Sequence, residues 1–519
     1  MHQRISSPTR LKGLRMDKDI LAAPGAVRKV VIAGGGTAGW MAAMTLATHF
    51  GKLLEITLVE SEEIGTVGVG ESTVPPIVSF HRLLGINEQH FMRECAATFK
   101  VGIWFENWAR IGDVFIHPFG RHGLPTQFAE YHNFWLHSLT RGSQVPFGEY
   151  CYEWLAAMKG KFALRENPRI NYAYHFDAAL YARYLRRLCE PKGIKRIEGK
   201  IKEVRLAPNG DVASLQLQDD RIVEGDFFID CTGFRGLLIE GALKTGFEDW
   251  NHWLPCDSAC AFQTVVDTPA QPVTACYAHE AGWRWNIPVQ HRVGNGVVFC
   301  SKFMSDDEAR DKLVKDSGGT PVKDPWLIRI KAGRRLQAWN RNVVAFGLAS
   351  GFVEPLESTS IHMIMTACMR LAYFFPFAGV KPAMVERYNE LSRYEIERIR
   401  DFVCMHYKYT EREDTAFWRH CREIEPPESL RKRVELFQQA GYIYVADNEL
   451  MTIDSWASVM MGQRIAPTTY HHYARVNDKD LKEQMARHRA KVAEIVNALP
   501  AHADFVRQYA GASADAWKL

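Results

Sequence analysis

At 519 residues the chain is long enough for one large or two to three ordinary domains, and a 47% hydrophobic content can supply their cores. The net charge of +4, from 64 Lys and Arg against 60 Asp and Glu, is close to balanced, and no basic run interleaves with aromatics, which argues against a nucleic-acid partner. The eleven cysteines are odd in number and scattered, with no C-x-x-C and no His pair at zinc spacing beside Cys256 and Cys260, so reduced thiols in a cytoplasm are expected rather than a disulfide framework or a metal site.

Residues 1–26 carry Arg4, Arg10, Lys12 and Arg15 among Ser, Pro and Gly, without the roughly 7–15-residue apolar core of a signal peptide. A disordered tail is expected there, and Met16 as well as Met1 stands open as the start. The apolar run Val27–Ala33 then leads into Gly34-Gly35-Gly36-Thr37-Ala38-Gly39-Trp40, and a helical segment, Thr37–Phe50, leaves it. Gly34, Gly36 and Gly39 hold the G-x-G-x-x-G spacing: the first glycine makes a tight turn, the second admits a pyrophosphate, and the third lets helix and strand pack closely. The helix N-terminus faces the phosphates. Leu54–Val59 reads as the next strand and ends in Glu60, where a carboxylate can accept from a ribose hydroxyl, which favours FAD or NAD over a mononucleotide.

Gly68-Val69-Gly70-Glu71-Ser72-Thr73-Val74-Pro75 forms a second glycine-dense loop, of the kind that can lie along a flat ring. Helical spacing resumes over Ile77–Leu84, and Asn87–Lys100 reads as a further helix with Lys100 near its end, where a lysine is ordinarily a favourable terminal charge. The stretch Val101–Trp135 is rich in aromatics close to His117 and His132, either a core patch or the wall of a pocket for an aromatic substrate. Asp177 is placed to cap a helix running through Leu188. Ile201–Leu206 and Val212–Leu217 read as a small antiparallel set, and the return strand Asp226–Ile229 ends in the glycine turn Asp230–Gly236. Alternation over 256–304 predicts a second sheet, with Trp283-Arg284-Trp285-Asn286-Ile287-Pro288 as a core-facing edge strand stopped by Pro288. The strand Asn342–Leu348 runs into a turn carrying Glu354 and Glu357, two carboxylates that simple packing does not want. Ser358 or Thr359 can cap the helix from Ile361, and free amides there could bind an anion. No apolar run reaches about 18 residues, since Ile361–Val380 is broken by His362, Arg370 and Pro376, so no membrane span is expected. The remainder is helical in pattern, with Leu481, Met485, Val492, Val496 and Leu499 on one face and Pro500 at the end.

Gly34–Trp40, Gly68–Pro75, Asp230–Gly236, the W-x-W-x-I-P box Trp283–Pro288 and Val353–Thr359 together resemble the flavin-dependent tryptophan halogenases, from about Val30 to the C-terminus. The resemblance implies an α/β fold: an FAD-binding Rossmann-like, flavin monooxygenase-like domain over 27–382 with an additional β-sheet, and a mostly helical C-terminal substrate module over 383–519. It implies FAD used as FADH2 from a separate flavin reductase, O2, and a halide, chloride or bromide, oxidised to hypohalous acid. The acid then travels through a tunnel to a lysine beside a small aromatic substrate. That lysine falls on Lys100, the neighbouring glutamate on Glu357, with Ser358 after it. The halide residues fall on Thr359 and Ser360, the second being usually glycine in the family. Flavin contacts fall on Gly34, Gly36, Thr37, Ala38, Gly39, Glu60, Gly70, Ser72, Leu348 and Ile361, with Ile201 near the adenine. His117 and Phe119 match the wall on which an indole stacks. A homodimer is compatible with the resemblance, which does not specify one.

The chain departs from tryptophan-specific members over Ala440–Pro467, which is short, holds only Tyr442, Tyr444 and Trp456 as large aromatics, and lacks an F-W-x-x-x-N-Y-Y run. Indole or a larger indole-containing compound is therefore favoured over free tryptophan. The alternatives are a halogenase of free tryptophan, a flavin-dependent aromatic hydroxylase, against which the W-x-W-x-I-P box argues, and a non-catalytic flavoprotein, against which Lys100 and Glu357 argue.

Overall fold

The computed structural model describes residues 25–64, 71–266, 268–475 and 478–511. Residues 1–24 of the tail expected over 1–26, and the expected flavin residue Gly70, lie outside these.

A six-stranded sheet carries the glycine motif, in the order Trp339–Asn340, Val343–Ala345, Phe227–Asp230, Lys29–Ala33, Glu55–Glu60 and Lys195–Glu198. All its pairings are parallel except that of the edge strand Trp339–Asn340. The helix Thr37–Phe50 is apolar on nearly every face because the sheet lies on one side of it and the helices Ala178–Cys189 and Ser360–Tyr373 on the others. Its buried Trp40, Met41, Met44 and Leu46 each contribute on the order of 1.5–3 kcal/mol. Asp177 caps Ala178–Cys189 as the sequence suggests, accepting from the amides of Ala179 and Leu180. The turn after Phe227–Asp230 is organised by Asp230, which accepts from Thr232 through one oxygen and from the amides of Leu238 and Ile239 through the other.

The second sheet has seven strands in the order Trp326–Arg329, Ser258–Val265, Arg292–Phe299, Gly282–Pro288, Val273–His279, Gly102–Glu106 and Val114–Pro118. The W-x-W-x-I-P box is thus interior to this sheet, paired on both sides, rather than the edge strand expected from its proline. Pro288 is tolerated because it is the last residue of the strand, where the ladder ends.

A small sheet of Glu71–Ser72, Ala173–Phe176 and Thr98–Lys100 joins the two. Here the sequence expectation of a helix through Lys100 fails. The helix stops at Glu94, Ala96 takes a left-handed conformation with φ of 50°, and Thr98–Lys100 is a strand paired with Ala173–His175. The released carbonyls find partners on the segment after the box: the Gln290 side-chain amide donates to Met92 and Ala97, and its backbone N–H donates to Ala96. That tertiary satisfaction outweighs helical spacing.

The helices Pro382–Lys408, Ala416–Glu423, Glu428–Ala440 and Ile453–Gly462 close over the seven-stranded sheet, and Asp478–Asn497 and His502–Ala510 follow. Among the described residues no helix is long and apolar enough to cross a membrane.

Candidate active site

A cavity of about 1120 Å³ runs from the glycine loop to the W-x-W-x-I-P box. Gly34, Gly36, Thr37, Ala38, Glu60, Ser72, Ile201, Leu348, Ser358, Ser360 and Ile361 all line it, so the sequence-derived flavin residues converge. Gly39 sits just behind: a Cβ there would stand 1.9 Å from the Gly34 carbonyl oxygen, so this position keeps helix and strand in contact. Gly36, by contrast, has nothing within 4 Å of its would-be Cβ, and as N-cap of Thr37–Phe50 it makes no side-chain cap bond. Open space in front of uncapped amides fits a pyrophosphate. Glu60 is held by Trp40 Nε1, 3.3 Å away, and by Arg196. A two-ended cavity with a phosphate cradle, an oriented ribose-side carboxylate and an apolar end fits FAD.

Trp283 and Trp285 line the far end of this cavity. Trp283 is fixed because its Nε1 donates to Glu354 at 2.8 Å, and Tyr407 donates to the same oxygen at 2.6 Å. Burial lifts the Glu354 carboxyl to about 7 against the lowering effect of these two donors. One of the two suspect carboxylates of the turn is therefore a support for the box.

The other, Glu357, belongs to a polar cluster behind the cavity wall, fully buried like Lys100 and Thr359. Ser358, with φ of 60°, turns the chain between the cavity wall and this cluster. Lys100 donates to Ser358 Oγ at 2.7 Å and to the Thr73 carbonyl at 3.1 Å, and its Nζ stands 5.0 Å from the centre of the Phe119 ring. Burial pushes the Lys100 ammonium down to about 7, opposed by the negative charge of Glu357. Glu357 accepts from His117 Nδ1 at 2.7 Å, while His406 Nε2 lies 3.0 Å from its other oxygen. Burial alone would raise this carboxyl, but the imidazoles of His117 and His406 outweigh it and hold the value at about 2. The result is a lysine poised near neutrality beside a firmly ionised carboxylate.

His117 and Phe119 adjoin this cluster with rings 6.3 Å apart and nearly perpendicular, at 84°, so a flat ligand stacked on Phe119 would meet His117 at its edge. Neither Ser358 nor Thr359 caps the following helix, Ser360–Tyr373: the Ser358 hydroxyl is engaged by Lys100 and Ser72, and Thr359 makes no cap bond. Thr359 Oγ1 is buried without a partner among the described residues, and Ser360 faces the cavity, which leaves this helix start open to an anion.

Sequence reasoning did not find His406, nor the buried hydroxyls and imidazole of Thr274, His175 and Thr98 behind Ser72. A histidine on an apolar helix face carries no local mark of the carboxylate it meets. The alternation of Thr274 within its strand reads equally as core.

Residues 29–479 match the family model for tryptophan halogenase. The chain is 36% identical over 437 residues to tryptophan 7-halogenase RebH of Lentzea aerocolonigenes, covering 80% of this chain and 82% of that protein. It is 34% identical over 514 residues to 7-chloro-L-tryptophan 6-halogenase KtzR of Kutzneria sp. (strain 744), covering 93% of this chain and 99% of that one. Among solved structures it superposes on Xcc4156, a flavin-dependent halogenase from Xanthomonas campestris, with a TM-score of 0.93 and 48% identity, covering 94% of this chain and 99% of the other. It also superposes on BrvH, a flavin-dependent halogenase from Brevundimonas sp. BAL3, at 0.89 and 40%, covering 93% and 99%. The cavity, its glycine cradle and the sealed lysine beyond it thus stand in an enzyme fold shared with flavin-dependent halogenases, and the chain belongs to the tryptophan halogenase family.

Proposed function

We propose that the protein halogenates an electron-rich aromatic of the indole type at Lys100, with indole or a larger indole-containing compound preferred over free tryptophan. The observation that carries the reading is the buried Lys100–Glu357 pair, whose lysine is hydrogen-bonded to Ser358 in the wall of the flavin-sized cavity. Gly34, Gly36, Thr37, Ala38, Glu60, Ser72, Ile201, Leu348 and Ile361 would hold FAD, with Gly39 setting the helix behind it, and Gly70 is assigned to the flavin by the family resemblance alone. Bound as FADH2 from a separate flavin reductase, it supplies with O2 the oxidising power that turns chloride or bromide into hypohalous acid.

Thr359 and Ser360 keep the halide at the start of the helix Ser360–Tyr373, where unpaired donors and the helix dipole favour an anion. Lys100 receives the hypohalous acid. As ammonium it donates to the oxygen and makes the halogen more electrophilic; as neutral amine, populated because its value is near 7, it forms a haloamine with loss of water. Phe119 carries the substrate ring face and His117 borders it. Glu357 stabilises the cationic ring intermediate and takes its proton, for which an ionised carboxylate is required. Trp283 and Trp285 fill the space beside the cofactor and keep the substrate from it. The short 440–467 stretch, with Trp456 buried edge-on to Phe402 at 4.8 Å, offers few groups to grip an amino-acid carboxylate and ammonium, which supports the preference for indole.

The test is mass spectrometry of a reaction containing FAD, a flavin reductase, NADH and air, with bromide and chloride together and indole and tryptophan as competing substrates. Halogen isotope patterns on indole, with tryptophan untouched, support the reading. Halogenated tryptophan alone overturns the substrate preference, and a hydroxylated product overturns the halogenase reading.

A further inference from the structure

Six consecutive hydrogen bonds connect Lys100 to the last residue of the W-x-W-x-I-P box. Lys100 Nζ reaches Ser358 Oγ at 2.7 Å, Ser358 Oγ reaches Ser72 Oγ at 3.0 Å, and Ser72 Oγ reaches Thr274 Oγ1 at 2.6 Å. Thr274 Oγ1 lies 2.9 Å from His175 Nε2, His175 Nδ1 lies 3.1 Å from Thr98 Oγ1, and Thr98 donates to the Pro288 carbonyl at 2.7 Å. The residues come from five separate strands and one turn, and every one is buried.

The two ends fix the sense of the whole chain. A backbone carbonyl only accepts, so the single Thr98 proton is committed to Pro288, and Thr98 Oγ1 must accept from His175 Nδ1–H. His175 is buried with its imidazole held well below the ordinary histidine value, first by desolvation and then by the charges of Lys100 and His502, so the ring is neutral and Nε2 is bare. Thr274 must then donate to Nε2 and accept from Ser72, which accepts from Ser358. At the other end an ammonium only donates, and it gives to Ser358. No link can reverse without leaving two donors or two acceptors facing each other in a dry interior.

We infer that His175 is a positioning residue for Lys100: through Thr274 and Ser72 it fixes the Ser358 hydroxyl so that its lone pair faces the lysine. The inference rests on Lys100 being the reacting lysine. Ser358 and Thr73 take two of the three ammonium N–H groups in set directions, and the third, which has no partner among the described residues, is left for the reactant. A second consequence concerns what crosses the partition. Ser72, Thr274 and Ser358 line the flavin-sized cavity, yet each has already committed its proton along the chain. Toward the cavity they offer lone pairs. A neutral acid with an O–H, as hypohalous acid is, can donate to them and be passed to the lysine, whereas a halide anion finds no donor and stays behind. The partition selects the oxidised species by its proton.

Thr274→Val cuts the chain while keeping shape, and Thr274→Ser restores it. The readout is the titration midpoint of Lys100, followed by the 13Cε signal of labelled lysine in the folded protein and assigned by its absence in Lys100→Ala. No turnover is needed, so a failure here is distinct from a failure of the halogenase reading. The titratable groups facing Lys100, Glu357, Cys276 and His175, are unchanged in both Thr274 variants. Because a chained hydroxyl is a better acceptor for the ammonium than an isolated one, Thr274→Val should shift the neutral-to-charged ratio of Lys100 roughly three- to tenfold toward the neutral amine, with the serine variant close to wild type. The pH profile of product formation should move by the same factor. His175→Phe should reproduce the shift, and if it does not fold, the Thr274 pair carries the test. An unchanged Lys100 midpoint in a folded Thr274→Val protein overturns the inference, as does a serine variant that behaves like valine.

Discussion

Glu357→Gln tests how strongly the Lys100–Glu357 cluster depends on a buried charge. The carboxyl is fully buried and is brought down from its ordinary 4.5 to about 2 because two imidazoles outweigh its desolvation. Held at about 2 rather than 4.5, the carboxyl favours its ionised form by roughly 3 kcal/mol more in the folded protein than in the unfolded chain. The folded value lies below the unfolded one, so this stabilisation is complete above about 4.5 and is lost as the pH falls toward 2. The amide cannot ionise, and it leaves His117 and His406 without their shared anion. Urea unfolding of the two proteins at pH 7 should therefore differ by about 2–4 kcal/mol, and the gap should narrow by on the order of 1 kcal/mol or more at pH 3.5. Equal stabilities at pH 7 would sink the argument. So would a gap of the same size at both pH values, since that would make the loss one of packing rather than of charge.

Two further substitutions separate binding from chemistry. Lys100→Ala should keep the fold and bound FAD and continue to consume O2 while halogenated product disappears by mass spectrometry; retained product would remove Lys100 from the mechanism. Removing a buried ammonium whose value is already depressed should leave the melting temperature unchanged or higher, which a thermal-shift measurement checks. Gly36→Ala places a methyl where nothing lies within 4 Å and the backbone φ of −72° accepts it, so unfolding should change by no more than about 0.5 kcal/mol. FAD affinity by fluorescence titration should nonetheless fall at least tenfold, and undiminished affinity would mean that the pyrophosphate lies elsewhere.

The glycine motif was readable because its physics is local: strand, turn and helix are contiguous, and the close contact of Gly39 with Gly34 spans five positions. The small antiparallel set, the Asp177 cap and the second sheet were readable for the same reason, through alternation and capping chemistry. Lys100 was identified by its resemblance to the family's lysine, yet its local structure was misread, because a side chain almost 200 positions away, Gln290, supplies the partners that end the helix early. The box was misassigned to an edge because proline argues against an interior strand, and nothing local says that the strand ends just there. His406 and Thr274 were invisible for a stronger reason. Their significance lies in a carboxylate and a serine on other elements, and Ser72 and Thr274 are separated by 202 positions.

The segment Pro288–Gln290 fastens the strand of Lys100 from both sides: the Pro288 carbonyl receives Thr98, and Gln290 grips the turn that precedes it. For anyone reshaping this enzyme, that divides the W-x-W-x-I-P region into two parts with different tolerances. Trp285, whose indole N–H has no partner among the described residues, can be trimmed to enlarge the cofactor side while the lysine keeps its register. Changes at Pro288 or Gln290 would instead act as a lever on the buried Lys100, so a library meant to broaden substrate scope should leave those two positions fixed.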